Sequence, residues 1–156
     1  MMAGAAPFEQ SGIRVVVVRT GLVLAADGGV LQRMLPPFRL GAGGPFGDGR
    51  AMMPWIHRAD WVRMIEWILT LADATGPFNA SAPEPVSNER FSATLARVLH
   101  RPAVVRVPAF ALRLALGELA DAVLTGQSAL PARALSLGFR FSFPSLEPAL
   151  VDLLRR

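Results

Sequence analysis

The sequence predicts an α/β fold: part of a parallel sheet followed by a small, mostly helical domain. Three observations predict it. Residues 13–24 (IRVVVVRTGLVL) are apolar on both faces, the pattern of a strand with neighbours on each side and cover above and below. A glycine-rich stretch from Gly41 to Arg50 and a short extended piece running into a helix near Asp60 follow, as they do at ligand-binding strand ends. From Ser87 onward the apolar residues recur mostly at helical spacing. The natural division is residues 1–86, carrying the sheet and the long loop, and residues 87–156, a helical domain.

Taken in order, Ile13–Leu24 reads as a single central strand, and Asp27-Gly28-Gly29 as a turn. Val30–Leu35 reads as a short helix stopped by Pro36-Pro37. Leu40–Arg50 holds five Gly and one Pro and reads as a loop; Met52–Ile56 reads as extended. Asp60 is placed to cap a helix over Trp61–Ala72, with Trp61, Ile65, Ile68, Leu69 and Ala72 on its apolar stripe. Gly76 ends that helix, and Pro77–Ser81 reads as a strand. Ser87 caps a helix to about Leu99, with Glu89 near its positive end. Val104–Val107 is extended, and Pro108 opens a helix over Ala109–Leu124. Pro131 starts a short helix that Gly138 closes in a left-handed conformation. Phe139, Phe141 and Phe143 alternate as in a strand, and Ser145 caps a last helix with Leu146, Leu150, Leu153 and Leu154 inward.

Composition narrows the function. The apolar fraction is 52% and the mean hydropathy is +0.38, high for a domain of this size. No window of about 20 residues lacks a charge, which argues against a membrane span. With no secretory signal pattern in view, a cytoplasmic location is expected. The excess apolar surface is instead expected to face a missing packing partner, with poor solubility or self-association of the isolated chain. There is no Cys, no Tyr and no Lys; all sixteen basic residues are Arg. Disulfides, thiolate metal sites, Schiff-base chemistry and a Tyr–Lys proton relay are thereby excluded within this chain. The net charge of +4 is dispersed, which disfavours nucleic acid. Two distant His, His57 and His100, offer no metal site.

Several pieces then combine: Arg19-Thr20-Gly21-Leu22-Val23-Leu24, Asp27-Gly28-Gly29, Leu35-Pro36-Pro37-Phe38, Gly41–Gly49, Trp55-Ile56-His57-x-x-Asp60, Gly76-Pro77-Phe78-Asn79, Leu124-x-Gly126-Gln127 with Pro131, and Gly138-Phe139-x-Phe141. Their order and spacing resemble the epimerase-like extended short-chain dehydrogenase/reductases, the NAD-dependent epimerase/dehydratase family. The closest subgroup carries a helical C-terminal domain of unknown function. The resemblance covers the chain from about Gly12. It implies the C-terminal part of a Rossmann-like doubly wound sheet of few strands, then a small substrate-side helical domain. It also implies NAD or NADP and a small-molecule substrate, such as a nucleotide-sugar, in the full-length enzyme. The family's N-terminal Gly-rich cofactor turn and its Tyr-x-x-x-Lys pair are absent from this sequence, so the chain alone is expected to bind no cofactor and to supply no catalytic residue.

The resemblance assigns roles residue by residue. Gly21, Leu22 and Val23 fall beside the nicotinamide end of the cofactor. The Gly41–Arg50 loop closes over substrate; the rival reading is a flexible surface connection. Arg50 is the cation available for a diphosphate, although Met53 holds the place where relatives carry such an Arg. Trp55 lines the pocket or the core, and Asn79 lies near the substrate or forms a turn. His57 and Asp60 are structural, with Asp60 capping the next helix. No metal is implied. The competing reading is a non-catalytic interaction module that pairs with a partner chain, a second copy or a missing N-terminal half.

Overall fold

The computed structural model describes residues 13–103, 105–108, 110–111, 114, 117, 126 and 128–155. The apolar run that reads as one strand is two. Strand β1 (Val16–Thr20) pairs in parallel with β5 (Gly76–Ala80), Val16 opposite Gly76 and Thr20 opposite Ala80. Strand β2 (Leu22–Leu24) pairs in parallel with β4 (Trp55–His57), Leu22 opposite Trp55. The break is Gly21. Its N–H donates to the Ala80 carbonyl at 3.0 Å, and the next N–H, of Leu22, donates to the Pro54 carbonyl at 2.6 Å. A Cβ on Gly21 would collide with that Pro54 oxygen. The run therefore changes partner where only Gly lets two backbones approach so closely.

The first helix, α1 (Gly29–Arg39), runs through Pro36 and Pro37 instead of stopping before them. Both prolines lie on its exposed face, so the carbonyls they leave without a helical N–H are beside solvent. Val30, Leu31, Met34, Leu35 and Phe38 are buried on the other face, and that stripe carries the helix past the prolines. Two short strands follow in the chain, β3 (Met52–Met53) and β6 (Val86–Ser87), which pair antiparallel. Helix α2 spans Arg58–Thr70, and its buried stripe is Asp60, Met64 and Ile68. Leu69, expected on the apolar stripe, is exposed, and Ala72 lies beyond the helix, which ends at Thr70; the buried position in the first turn is the Asp60 carboxylate.

Helix α3 (Asn88–Val98) begins at Ser87, whose hydroxyl accepts the Arg90 N–H at 3.2 Å. Helix α4 (Ala132–Ser136) follows Pro131, and Gly138 beyond it has φ +89°. Helix α5 spans Leu146–Leu154. Most of the helix expected over Ala109–Leu124 lies outside the described residues. The Phe139–Phe143 segment is not a strand. Phe139 packs on Trp67 and Phe141, while Phe143 stacks on His57 with ring centroids 3.9 Å apart.

Two apolar clusters result. One gathers α1, α3 and α5 around Phe38, Trp55, Phe91, Leu95 and Leu150. The other sits beneath α2 and β5 around Ile56, Met64, Phe78 and Phe139. The α3–α5 contact also carries an Arg97–Glu147 pair at 2.7 Å, with both side chains at least half exposed. Such a pair contributes up to ~1 kcal/mol, whereas each buried Leu or Phe contributes about 2–3 kcal/mol, so apolar burial holds the helices together. Among the described residues no helix is long and apolar enough to cross a membrane.

Gly21→Ala should destabilise the chain by about 3 kcal/mol, read as a lowered urea midpoint with unchanged slope, because no side chain can move to admit the methyl. A change under about 0.5 kcal/mol would mean that the partner switch does not depend on Gly21.

Candidate functional site

Of the residues assigned to ligand binding, Gly21 and Asn79 lie at the C-terminal ends of β1 and β5. Gly21 bridges Ala80 and Pro54, Leu22 pairs with Trp55, and Asn79 pairs with Arg19 across the parallel ladder. Gly126 passes so close to Ala51 and Met52 that a Cβ there would meet their backbone. Ala129 and Leu130 then accept hydrogen bonds from Ser81 Oγ at 2.6 Å and Asn79 Nδ2 at 3.0 Å. Gly126 thus lies at the start of β3, next to Arg50, and the stretch 128–130 lies at the end of β5. Arg50 is exposed; its N–H donates to Asp48 Oδ1 at 2.9 Å, and its guanidinium has no partner among the described residues. Asn79 is half-buried and anchors this stretch rather than forming a turn.

Trp55 lies elsewhere. Its ring is buried in the first cluster, and its indole N–H donates to the Glu84 carbonyl at 3.1 Å. In this arrangement it supports the wall behind β2 and shows no face to solvent.

The glycine-rich loop is neither open nor loose. Gly47 N–H donates to the Val107 carbonyl at 3.1 Å, and Val107 N–H donates to that of Pro45 at 2.9 Å. Phe46 N–H donates to the buried Asn88 Oδ1 at 2.6 Å. Side chains on Gly43 and Gly44 would strike the Phe38 ring and the Val105 backbone. These two glycines serve close packing of the chain on itself, and the loop stands pinned to the N-terminus of α3.

His57 and Asp60 stand where β4 turns into α2. The α2 cap is His57, not Asp60: Nδ1 accepts the Ala59 N–H at 3.1 Å. Asp60 is the third residue of the helix, three positions past the cap, and is fully buried. Its carboxylate accepts the N–H groups of Ser142 and Phe143, both at 2.8 Å, and Arg63 Nη1 at 2.9 Å. Arg63 continues to Ser142 Oγ and the Arg140 carbonyl. One buried charge with two backbone donors and a guanidinium therefore fixes the 140–143 segment on α2. Burying a carboxylate costs several kcal/mol, and such charge-assisted bonds offset it only when complete. The sequence marks Asp60 as a polar residue at a helix start, and nothing in its spacing reveals partners some eighty residues away.

A cavity of about 420 Å³ opens beside His57, lined also by Asp27, Arg39, Arg58, Phe143 and Asp152. Because Nδ1 accepts, the neutral ring carries its proton on Nε2, 3.4 Å from Asp152 Oδ2, within ion-pair range but without hydrogen-bond geometry. Burial holds the His57 pKa below its ordinary value, with Asp152 and Asp60 opposing that shift. Across the cavity mouth Arg58 donates to both Asp27 oxygens, at 2.7 and 2.9 Å, and lowers that carboxyl's pKa through this hydrogen bond. Among the described residues no three His, Cys, Asp or Glu side chains are grouped to hold a metal.

Comparison with known proteins supplies the context. Residues 107–153 match the model of a domain of unknown function, DUF1731. An epimerase family protein of Staphylococcus aureus is 41% identical over 149 residues, which are 96% of this chain and 50% of that protein. The crystal structure of the human epimerase family protein SDR39U1 with NADPH superposes with a TM-score of 0.85 at 38% identity, covering 92% of this chain and 49% of that one. This chain corresponds to the C-terminal half of an epimerase-like protein. A nucleoside-diphosphate sugar epimerase from Corynebacterium glutamicum is more distant, with a TM-score of 0.71 at 31% identity over 96% of this chain and 28% of that one. The chain thus spans about half the length of the curated relatives it matches. Its short parallel strands and helices match the Rossmann-like epimerase structures.

Two outcomes follow from the polar cluster. Asp60→Asn should cost about 3 kcal/mol in chemical denaturation, since an amide offers one acceptor where the two backbone N–H groups need two. Equal stability would mean that the clamp is not essential. For His57 the folded-state pKa is depressed, so the unfolded chain binds the proton more readily. Its contribution is complete above about pH 6.5 and is lost as pH falls below that value. His57→Asn, which keeps a capping oxygen and does not titrate, should remove that part of the pH dependence; identical wild-type and variant profiles from pH 7.5 to 5 would contradict this.

Proposed function

We propose that the chain is the substrate-side half of an NAD(P)-dependent oxidoreductase of the sugar-nucleotide epimerase/dehydratase type. In this reading residues 1–86 belong to the cofactor-binding domain and residues 87–156 form the helical domain over the substrate. The observation that carries it is the convergence at Gly21 of two parallel ladders, in a chain that superposes on half of an NADPH-bound epimerase family structure. Ligands of open parallel sheets lie outside the C-terminal strand ends. The backbone of Gly21, Leu22 and Val23 would border the nicotinamide there. Arg50 would grip a diphosphate, for which an exposed, planar guanidinium with no partner among the described residues is suited. Asn79 would place the stretch 128–130 at the substrate's edge.

The residues that fit NAD or NADP in this chain are backbone and small side chains at one end of the cofactor. When bound, the nicotinamide supplies hydride chemistry. This chain contributes no Tyr or Lys for the accompanying proton transfer, so the half-protein is inactive by itself. His57 does not replace them, since its Nδ1 is committed to the α2 cap and its Nε2 faces Asp152.

The test joins this chain to the first half of the human epimerase family protein and compares the fusion with the chain alone by NADPH fluorescence titration. The reading expects binding only by the fusion. It also expects Arg50→Ala in the fusion to raise the KM for a nucleotide-diphosphate sugar by roughly tenfold while leaving NADPH affinity unchanged. Saturable NADPH binding by the chain alone, or a folded fusion that binds none, would overturn it. The second reading, a non-catalytic interaction module, draws its support from the edge of β1 that has no strand partner among the described residues.

A further inference from the structure

We propose that the cavity at the C-terminal end of the β2–β4 ladder binds a neutral polyhydroxylated compound, one hydroxyl of which bridges His57 Nε2–H and the Asp152 carboxylate. None of Gly21, Arg50 and Asn79 lines this cavity, so the proposal does not rest on the functional reading above.

The cavity draws its lining from remote parts of the chain. Leu24 opposite His57 is the last pair of the β2–β4 ladder, and Ala26, Asp27 and Arg58 follow just beyond it. Arg39, the last residue of α1, and Asp152 of α5 add to the lining. The C-terminal ends of parallel strands are where α/β proteins place ligands. A volume of about 420 Å³ falls within the range of about 300–1,000 Å³ found for small-molecule sites.

His57 decides the chemistry. Its side chain is 3% exposed, and its ring is held twice. Nδ1 accepts the Ala59 N–H at 3.1 Å, and Phe143 stacks on the ring with centroids 3.9 Å apart. Turning the ring to seek an acceptor would break the α2 cap. Nε2–H is therefore a fixed, buried donor with no hydrogen-bond partner among the described residues. Such a donor is costly, and native folds seldom keep one without a use. Asp152 Oδ2 stands 3.4 Å from Nε2 without hydrogen-bond geometry.

A donor and a carboxylate side by side select the ligand. A metal ion needs the Nε2 lone pair, and Nε2 carries the proton. An ammonium group cannot accept from Nε2–H, and a ligand carboxylate or phosphate would face the charge of Asp152. A hydroxyl accepts from the one and donates to the other. The charge of the lining agrees: Arg39 and Arg58 balance Asp27 and Asp152, and burial keeps His57 neutral at about pH 7. Further hydroxyls have partners as well. Arg58 donates to Asp27 through Nη1, so its other N–H groups and the remaining Asp27 lone pairs stand on the same lining.

The test follows the ring nitrogens of the two histidines, His57 and His100, by NMR of the full chain carrying isotope-labelled histidine, with His57→Asn assigning the signals. D-Glucose is the probe and inorganic phosphate the rival. Glucose should shift the His57 Nε2–H signal saturably, with a dissociation constant on the order of millimolar, and leave His100 unmoved. Asp152→Ala should weaken binding by at least ~10-fold. Ala26→Leu, which narrows the cavity without removing a charge, should abolish it. Glu66→Ala, on the exposed side of α2 and outside the lining, should bind as the wild type does. A signal that moves with phosphate and not with glucose would make this an anion site and overturn the proposal. So would a signal that neither probe moves, or glucose binding that is equal in the wild type, Asp152→Ala and Ala26→Leu.

Discussion

The close approach of three backbone segments at Gly21 governs the arrangement of everything around it. At this point one apolar run leaves β5 and takes up β4, and the Pro54 carbonyl stands where a side chain would be. The switch sets the register of both ladders. It brings Trp55 behind β2 and places Asn79 beside Arg19. From β4 the chain turns at once into α2, so the position of His57 and then of Asp60 follows from the same point. The polar clamp at Asp60 in turn holds Ser142 and Phe143, which deliver the chain to α5. A perturbation at the glycine would pass through short, stiff steps into both apolar clusters.

Local signals were the legible ones. Ser87 as a cap, Gly138 in a left-handed conformation and the buried stripe of the last helix all follow from residue chemistry within a few positions. What could not be read depends on partners remote in sequence. The β1–β2 break needs Pro54, the passage of α1 through Pro36-Pro37 needs the buried ring of Phe38, and the duty of Asp60 needs two N–H groups on the far side of the chain. The glycine-rich loop shows the same limit: glycine spacing signals close approach but not what approaches, and for Gly43 and Gly44 it is Phe38 and Val105. Of the expected site residues, Gly21, Asn79 and the neighbourhood of Arg50 are brought together, and Trp55 is turned into the core.

The strand β1 contributes to the apolar fraction of 52% with valines that remain half-exposed among the described residues. The same strand that gives the sequence its most recognisable feature is the one the described fold leaves incomplete.

Native mass spectrometry of the species that carries this sequence in its source cells tests that account most directly. The account predicts a particle near twice the chain's 16.7 kDa in which this sequence occurs once, either within one longer polypeptide or beside a different one. A lone 16.7 kDa monomer, or a particle built only of identical copies, would contradict it.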